Sequence, residues 1–169
     1  MKKIMITLGA CLLGVLSNNA RAQVTDFADL GATMHLVDVI DISAVPTGGG
    51  SALGTNAVFD EIPEYRNGIT NLDAVHLTVS STQIYKVEAE TTTSDFNGGS
   101  IPIPSSKLLI RNNGGTTFSP LSVVKTSLLT GQALGDNVNH GIDLKFDPGF
   151  SGYQATDYDI VMRFTATQE

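Results

Sequence analysis

The chain has 169 residues, a formal net charge of −7, one cysteine, no tryptophan and 17 glycines. Its 41% hydrophobic content suffices for a folded core, which argues against wholesale disorder. The acidic balance argues against nucleic acid, whose binders need a basic footprint, and a lone Cys gives neither a disulfide framework nor a Cys-rich zinc site.

The first 22 residues read as a cleaved signal peptide. Lys2 and Lys3 form a basic start, Ile4 to Leu16 an apolar run, and Ala20-Arg21-Ala22 a small-residue cleavage site. The apolar run is shorter than the ~20 residues a membrane span needs. Leu8-Gly9-Ala10-Cys11 is similar to a lipidation box, but Leu12, Leu13, Val15 and Leu16 continue the apolar run past the cysteine. Cleavage after Ala22 leaves 147 residues without a thiol. Losing Lys2, Lys3 and Arg21 leaves seven basic against 17 acidic residues, a net charge of −10. No later apolar run is long enough to span a bilayer. The expected product is exported, extracellular or at the cell surface, with the periplasm as the other location. It is held together by burial and hydrogen bonds alone.

Residues 23–32 read as an N-terminal leader and 33–169 as a single domain. Residues 33–45 are rich in β-branched side chains; Met34, Leu36, Ile40 and Ile42 share one parity, with Asp38 interrupting it. Pro46 and Gly48-Gly49-Gly50 end the run, and 46–57 reads as a loop or flexible crossover. Val75, Leu77 and Val79 alternate with polar residues, as do Tyr85, Val87 and Ala89. The closeness of these two runs predicts a hairpin with one wet face. Lys107–Arg111 is a further strand, Asn112-Asn113-Gly114-Gly115 a turn, and Leu121–Lys125 and Ile142–Phe146 shorter strands. In Asp157–Thr167, the residues Tyr158, Ile160, Met162, Phe164 and Ala166 fall on one face, the pattern of a strand.

No convincing helix follows the signal; 126–135 is the best candidate, weakened by Gly131 and Gly135. About eight short strands between Gly, Pro, Asn and Ser clusters predict an all-β fold, an antiparallel immunoglobulin-like sandwich, with a closed barrel as the alternative.

Chemical motifs are sparse. His35, His76 and His140 form no metal-ligand spacing; His76 lies on the polar parity of its strand, and His140 in an Asn/Gly-rich stretch read as a loop. There is no G-x-S-x-G elbow, P-loop, dinucleotide fingerprint or H-E-x-x-H motif. Asp157 and Asp159 fall on one face of the last strand, and Asp60, Glu61 and Glu64 cluster near a turn. Paired acids can serve glycoside chemistry and oxygen-rich loops can hold calcium, for which Asp136-Asn137-Val138-Asn139 has suitable residue types. Solvated acidic loops are the simpler reading. Without Trp, a carbohydrate platform would rest on Tyr65, Tyr85, Tyr153 or Tyr158, of which Tyr85 and Tyr158 have inward parity. No catalytic, cofactor-binding or metal residue is assigned.

The order of several short runs resembles a known group. Tyr65-Arg66-Asn67-Gly68-Ile69 precedes Leu77-Thr78-Val79-Ser80-Ser81 and Tyr85-Lys86-Val87; Ile101-Pro102-Ile103-Pro104-Ser105-Ser106-Lys107-Leu108 follows, and the chain closes on Tyr158–Gln168. This is similar to secreted Gram-negative β-sandwich proteins related loosely to chaperone–usher pilins and spore-coat-U-type subunits. The resemblance implies a non-enzymatic, fimbria-like surface subunit that assembles by β-strand edge pairing. A periplasmic chaperone and an outer-membrane usher are the implied partners. Segment 23–45 is the candidate donor strand, unless 33–45 is an integral first strand of its own domain. The pilins' usual cysteine pair is absent. The alternative function is an adhesin-type sandwich binding glycan or calcium.

Overall fold

The structure, a computed structural model, describes residues 34–47, 55–150 and 152–169. The signal peptide read over 1–22, the Cys11 box, the leader 23–32 and the Gly48–Gly50 stop lie outside the described residues. The chain divides into two units, 1–36 and 37–169. Of the first, only Met34, His35 and Leu36 are described, and they are exposed and in no helix or strand.

The second unit is built mostly of antiparallel β-sheet. Strands β1 (Ile40–Pro46), β2 (Ile69–Ser81), β3 (Tyr85–Thr91), β4 (Asn97–Gly98), β5 (Leu108–Asn112), β6 (Ser119–Pro120), β7 (Thr126–Gln132), β8 (Gly135–Phe146), β9 (Tyr158–Asp159) and β10 (Met162–Gln168) follow in chain order. A short helix α1 (Ile62–Asn67) precedes β2, and a single 3-10 turn, Ser105–Lys107, precedes β5. A five-stranded sheet has the order β1-β2-β8-β5-β6, a three-stranded sheet β10-β3-β7, and β4 pairs with β9.

The alternating runs form strands because each buries one face. In β3, Tyr85, Val87, Ala89 and Thr91 are buried while Lys86, Glu88 and Glu90 are only partly so. From the larger sheet, Val75, Leu77, Val79, Leu108, Ile110, Ile142 and Leu144 join the same core as Tyr85, Val87, Ala89 and Leu129 of the smaller one. Burying each such aliphatic side chain contributes about 1.5–3 kcal/mol.

Five expectations need correction. The runs at 75–80 and 85–89 are not a hairpin: β2 and β3 belong to different sheets. Their inward residues meet across the core, and Ser81 Oγ turns the chain between them by receiving the Gln83 amide. The helix candidate 126–135 is strand β7 as far as Gln132, paired with β3, and reaches the first residue of β8 at Gly135. Gly131, at φ +59, disfavours a helix there, and Thr126 and Thr130 favour a strand. Leu121–Lys125 is not a strand; buried Leu121 is held by its amide to the Leu108 carbonyl, after the two-residue β6. The Asp157–Thr167 run divides at Ile160–Val161 into β9 and β10. Its inward parity survives, since Ile160, Met162, Phe164 and Ala166 all pack on the core.

The fifth is α1, which sequence periodicity could not reveal in six residues. The Glu64 carboxylate receives the amides of Asp60 and Glu61 at 2.8 and 3.0 Å, Pro63 suits the first turn, and Gly68 at φ +73 ends it. A side chain at Gly68 would also meet the Phe146 carbonyl. In the first strand, pairing among the described residues starts at Ile40 and runs antiparallel to β2 through Pro46. The turn at 112–115 is as expected, closed by the Gly115 amide on the Asn112 carbonyl at 2.8 Å.

Candidate functional site

The strand edges are the first place to look, because an unpaired edge offers a row of free amides and carbonyls. β1 borders the larger sheet and β10 the smaller one; each has a strand on one side only among the described residues. β1 begins beside Ser81 and β10 ends beside Tyr85. The Gln168 carboxamide donates to the Val39 carbonyl at 3.0 Å, tying these two ends together. The Thr82 amide reaches the same carbonyl, and the Val39 amide donates to Thr82 Oγ1.

N-terminal to that tie, the sequence is apolar and lies outside any helix or strand. Met34 is 82% exposed, Leu36 87%, Val37 73% and Val39 53%. Val37 and Val39 thus bury little of themselves against the sheet they lead into. Asp38 stands among them and accepts from the Gln83 carboxamide at 3.0 Å.

The candidate residues read from the sequence do not converge. His35 is exposed and lies outside any helix or strand. His76 is exposed on the outer face of the larger sheet, its Nε2 2.7 Å from Asp73 Oδ2. His140 stands opposite Leu77, thus on the inner face, and lies in β8 rather than in a loop. Its Nε2 is 2.7 Å from the Tyr85 hydroxyl, a hydrogen bond between the two sheets. Burial holds the His140 imidazole below its ordinary pKa and pushes the Tyr85 phenol up.

The acidic candidates are accounted for individually. Glu64 caps α1, and the amides of Glu61 and Asp60 hold its carboxyl below the usual range. Asp136 and Asn139 are in strand β8, not in a calcium-type loop. Asp136 accepts from Ser80 Oγ at 2.7 Å and Asn139 from Thr78 Oγ1 at 2.8 Å. Asp157 precedes β9 while Asp159 lies in it, so the two do not share one strand face. Among the described residues, no three His, Cys, Asp or Glu side chains group as metal ligands.

Of the tyrosines, Tyr85 is fully buried. Tyr65 stacks between Phe59 and Phe150, with ring centroids 5.2 and 5.8 Å away. Tyr153 meets Tyr158 edge-on at 6.4 Å. Tyr158 also borders a cavity of about 320 Å³ with Phe96, Leu108, Phe146, Ile160 and Met162.

One arrangement escaped the sequence reading. Between Asn71 and Val75, β2 bulges, so that three residues lie opposite one on β8. The middle residue, Asp73, has φ +52, a left-handed conformation that a non-glycine residue adopts at a cost. Its amide donates to Asp143 Oδ1 at 2.8 Å, and Arg111 Nε donates to Asp143 Oδ2 at 2.8 Å. Asp143 is completely buried, and the Arg111 guanidinium lies 4.3 Å over the Phe118 ring. The signal was the acid between Ile142 and Leu144, which strand parity assigns to solvent.

No family model matches this chain, and no curated protein matches it. No helix among the described residues is long and apolar enough to cross a membrane.

Proposed function

We propose that this chain is an exported, non-enzymatic structural subunit of the cell surface or exterior, fimbria-like, that assembles by pairing strand edges. On this reading the two sheets form an immunoglobulin-like sandwich. The antiparallel order and the core shared by inward residues of both sheets support it. The observation that carries the functional reading is the run of exposed apolar side chains Met34, Leu36, Val37 and Val39, N-terminal in sequence to edge strand β1. An apolar run left in water lowers its free energy when a second molecule covers it. The edge of β10 that has no strand beside it among the described residues, seven residues with no proline and one charged residue, offers a backbone ladder to a neighbour. The first strand serves its own sheet from Ile40, so the donated part lies N-terminal to it.

The test is the assembly state of the purified exported protein, by size-exclusion chromatography and electron microscopy. Deleting residues 23–36 leaves β1 and the Val39–Thr82 bonds in place. The deletion is expected to abolish higher-order species without changing the melting temperature of the monomer. A strictly monomeric full-length product at every concentration, even when co-expressed with adjacent secretion genes, would refute the proposal.

A further inference from the structure

The sequence holds three Asn-Gly pairs, Asn67-Gly68, Asn97-Gly98 and Asn113-Gly114. This dipeptide is prone to one spontaneous reaction. The Gly amide nitrogen attacks the Asn side-chain carbon Cγ and closes a five-membered imide. Glycine favours closure because it puts no side chain in the way and lets the backbone turn freely. The fold sets two further conditions. The Gly amide must be free of a hydrogen bond, and the chain must be able to leave helix or strand geometry to bring the nitrogen to Cγ.

Exposure does not choose among the pairs, since all three asparagines are exposed. Backbone bonding does. Asn67 is the last residue of α1, and the Gly68 amide donates to the Glu64 carbonyl at 2.7 Å. The Phe146 carbonyl and the Lys145 side chain also crowd the Gly68 Cα. Asn97 and Gly98 form β4, paired with Asp159 and Tyr158 of β9. The Asp157 carbonyl and the Tyr158 ring close on the Gly98 Cα.

The third pair is held differently. Asn113 and Gly114 lie just beyond β5, in an exposed turn. The turn is anchored on both sides, by the Asn113 amide on the Gly141 carbonyl and the Gly115 amide on the Asn112 carbonyl, each at 2.8 Å. Between these anchors the Gly114 amide has no hydrogen-bond partner among the described residues. Gly114 has φ +81 and open space around its Cα. The preceding pair, Asn112-Asn113, lacks this freedom, because the amide that would attack is the one bound to Gly141.

We propose that Asn113 is a site of spontaneous covalent modification in the folded protein, converting to aspartate and isoaspartate ahead of Asn67 and Asn97. The Gly114 nitrogen bonds to Asn113 Cγ, the Cγ–Nδ2 bond breaks, and the amide proton leaves with the side-chain nitrogen as ammonia. Water then opens the imide. Breaking its bond at Cγ gives aspartate. Breaking its bond at the backbone carbonyl gives isoaspartate, which routes the chain through Cγ and adds a carbon to the turn. Either product carries a carboxylate close to Asp73, because Asn113 Nδ2 lies 3.1 Å from the point beside Gly141 that Asp73 Oδ1 already fills. Two like charges then flank Gly141, which disfavours the closed turn. The reaction is independent of strand-edge assembly.

The experiment ages the purified protein in mildly alkaline buffer and maps it by tryptic digestion and mass spectrometry. Cleavage after Lys and Arg puts the three pairs on separate peptides, 67–86, 87–107 and 112–125. A gain of one mass unit is expected first in 112–125, about tenfold or more faster than in the other two, the protection that one amide hydrogen bond gives. Fragmentation should place the change at position 113, partly as isoaspartate. Aged in urea, where the helix and the strand pairing are lost, the three peptides should react at similar rates. Asn113→Gln lengthens the side chain, so the five-membered ring cannot form, and should leave 112–125 unchanged. The proposal is overturned if 67–86 or 87–107 reacts as fast as 112–125 in the folded protein. It is also overturned if the same order of rates persists in urea, or if Asn113→Gln reacts as the parent does.

Discussion

Strand β2 is held by different physics in its two halves. From Val75 to Ser81 it alternates: Val75, Leu77, Val79 and Ser81 are buried, and His76 points to solvent. From Asn71 to Ala74 it bulges, and a buried carboxylate replaces the lost ladder bonds by receiving the Asp73 amide. The first half spreads its stability over many apolar contacts that tolerate small errors. The second concentrates it in one ion pair whose two charges are acceptable only together.

The sharpest way to expose that difference is to remove Arg111. Asp143 has no exposed surface, so Arg111→Ala leaves a buried carboxylate facing only the Asp73 amide. Breaking a buried pair from one side costs about 3–5 kcal/mol. Urea unfolding should show the loss as a lower midpoint at unchanged slope. A loss below about 1 kcal/mol, the level of a surface pair, would mean that the bulge does not depend on this carboxylate.

The corresponding change in the regular half is Leu77→Ala. Leu77 is fully buried, and the cavity left behind should cost about 2–5 kcal/mol. The two substitutions differ in their repair. A second apolar substitution that refills the space should recover part of the Leu77 loss, whereas no apolar neighbour can neutralise Asp143.

Gly141 joins the two halves, being opposite His76 and beneath Asp73. Gly141→Ala places a methyl group where Asp73 Oδ1 lies and should cost about 1–3 kcal/mol. Asp73→Gly removes the carboxylate and suits the positive φ, so the double variant should be more stable than the two losses added together. Simple additivity in that cycle would show that the carboxylate does not occupy the space above Gly141.

The same contrast explains what the sequence made legible. Alternation in 75–80 and 85–89 gave two correct strands, because one buried face imposes a period of two. It could not say whether the strands lie side by side or face each other, since inward parity is identical in both cases. The inward parity of the closing run was legible, but its break at Ile160–Val161 depends on pairing partners far along the chain, β4 and β3. The role of Asp143 was not legible, because its partner Arg111 lies 32 residues away and parity alone ranks an acid beside Ile142 as solvated. His140 was assigned to a loop on its Asn and Gly neighbours, whereas pairing with β2 makes that stretch a strand. The Met34–Val39 run was legible as apolar; that its side chains stay exposed was not.

The smallest expected effect lies in the regular half, where the Tyr85 hydroxyl and His140 Nε2 share a hydrogen bond across the core. Tyr85→Phe removes one hydrogen bond and should cost about 1 kcal/mol at neutral pH. Burial holds the His140 imidazole below its ordinary value, so the unfolded chain takes up this proton at a higher pH than the folded one. The contribution from neutral His140 is therefore complete above the unfolded value of about 6.5 and is lost as pH falls through the lower folded value. Unfolding midpoints measured from about pH 7.5 down to about pH 5 should fall in the parent, and less steeply in His140→Gln. Tyr85→Phe should keep the steep fall while starting lower, because the imidazole remains desolvated without the phenol. Parallel pH profiles for the parent and His140→Gln would show that protonation of His140 costs the fold nothing, leaving the apolar contacts of Leu77, Val79 and Val87 to join the sheets there.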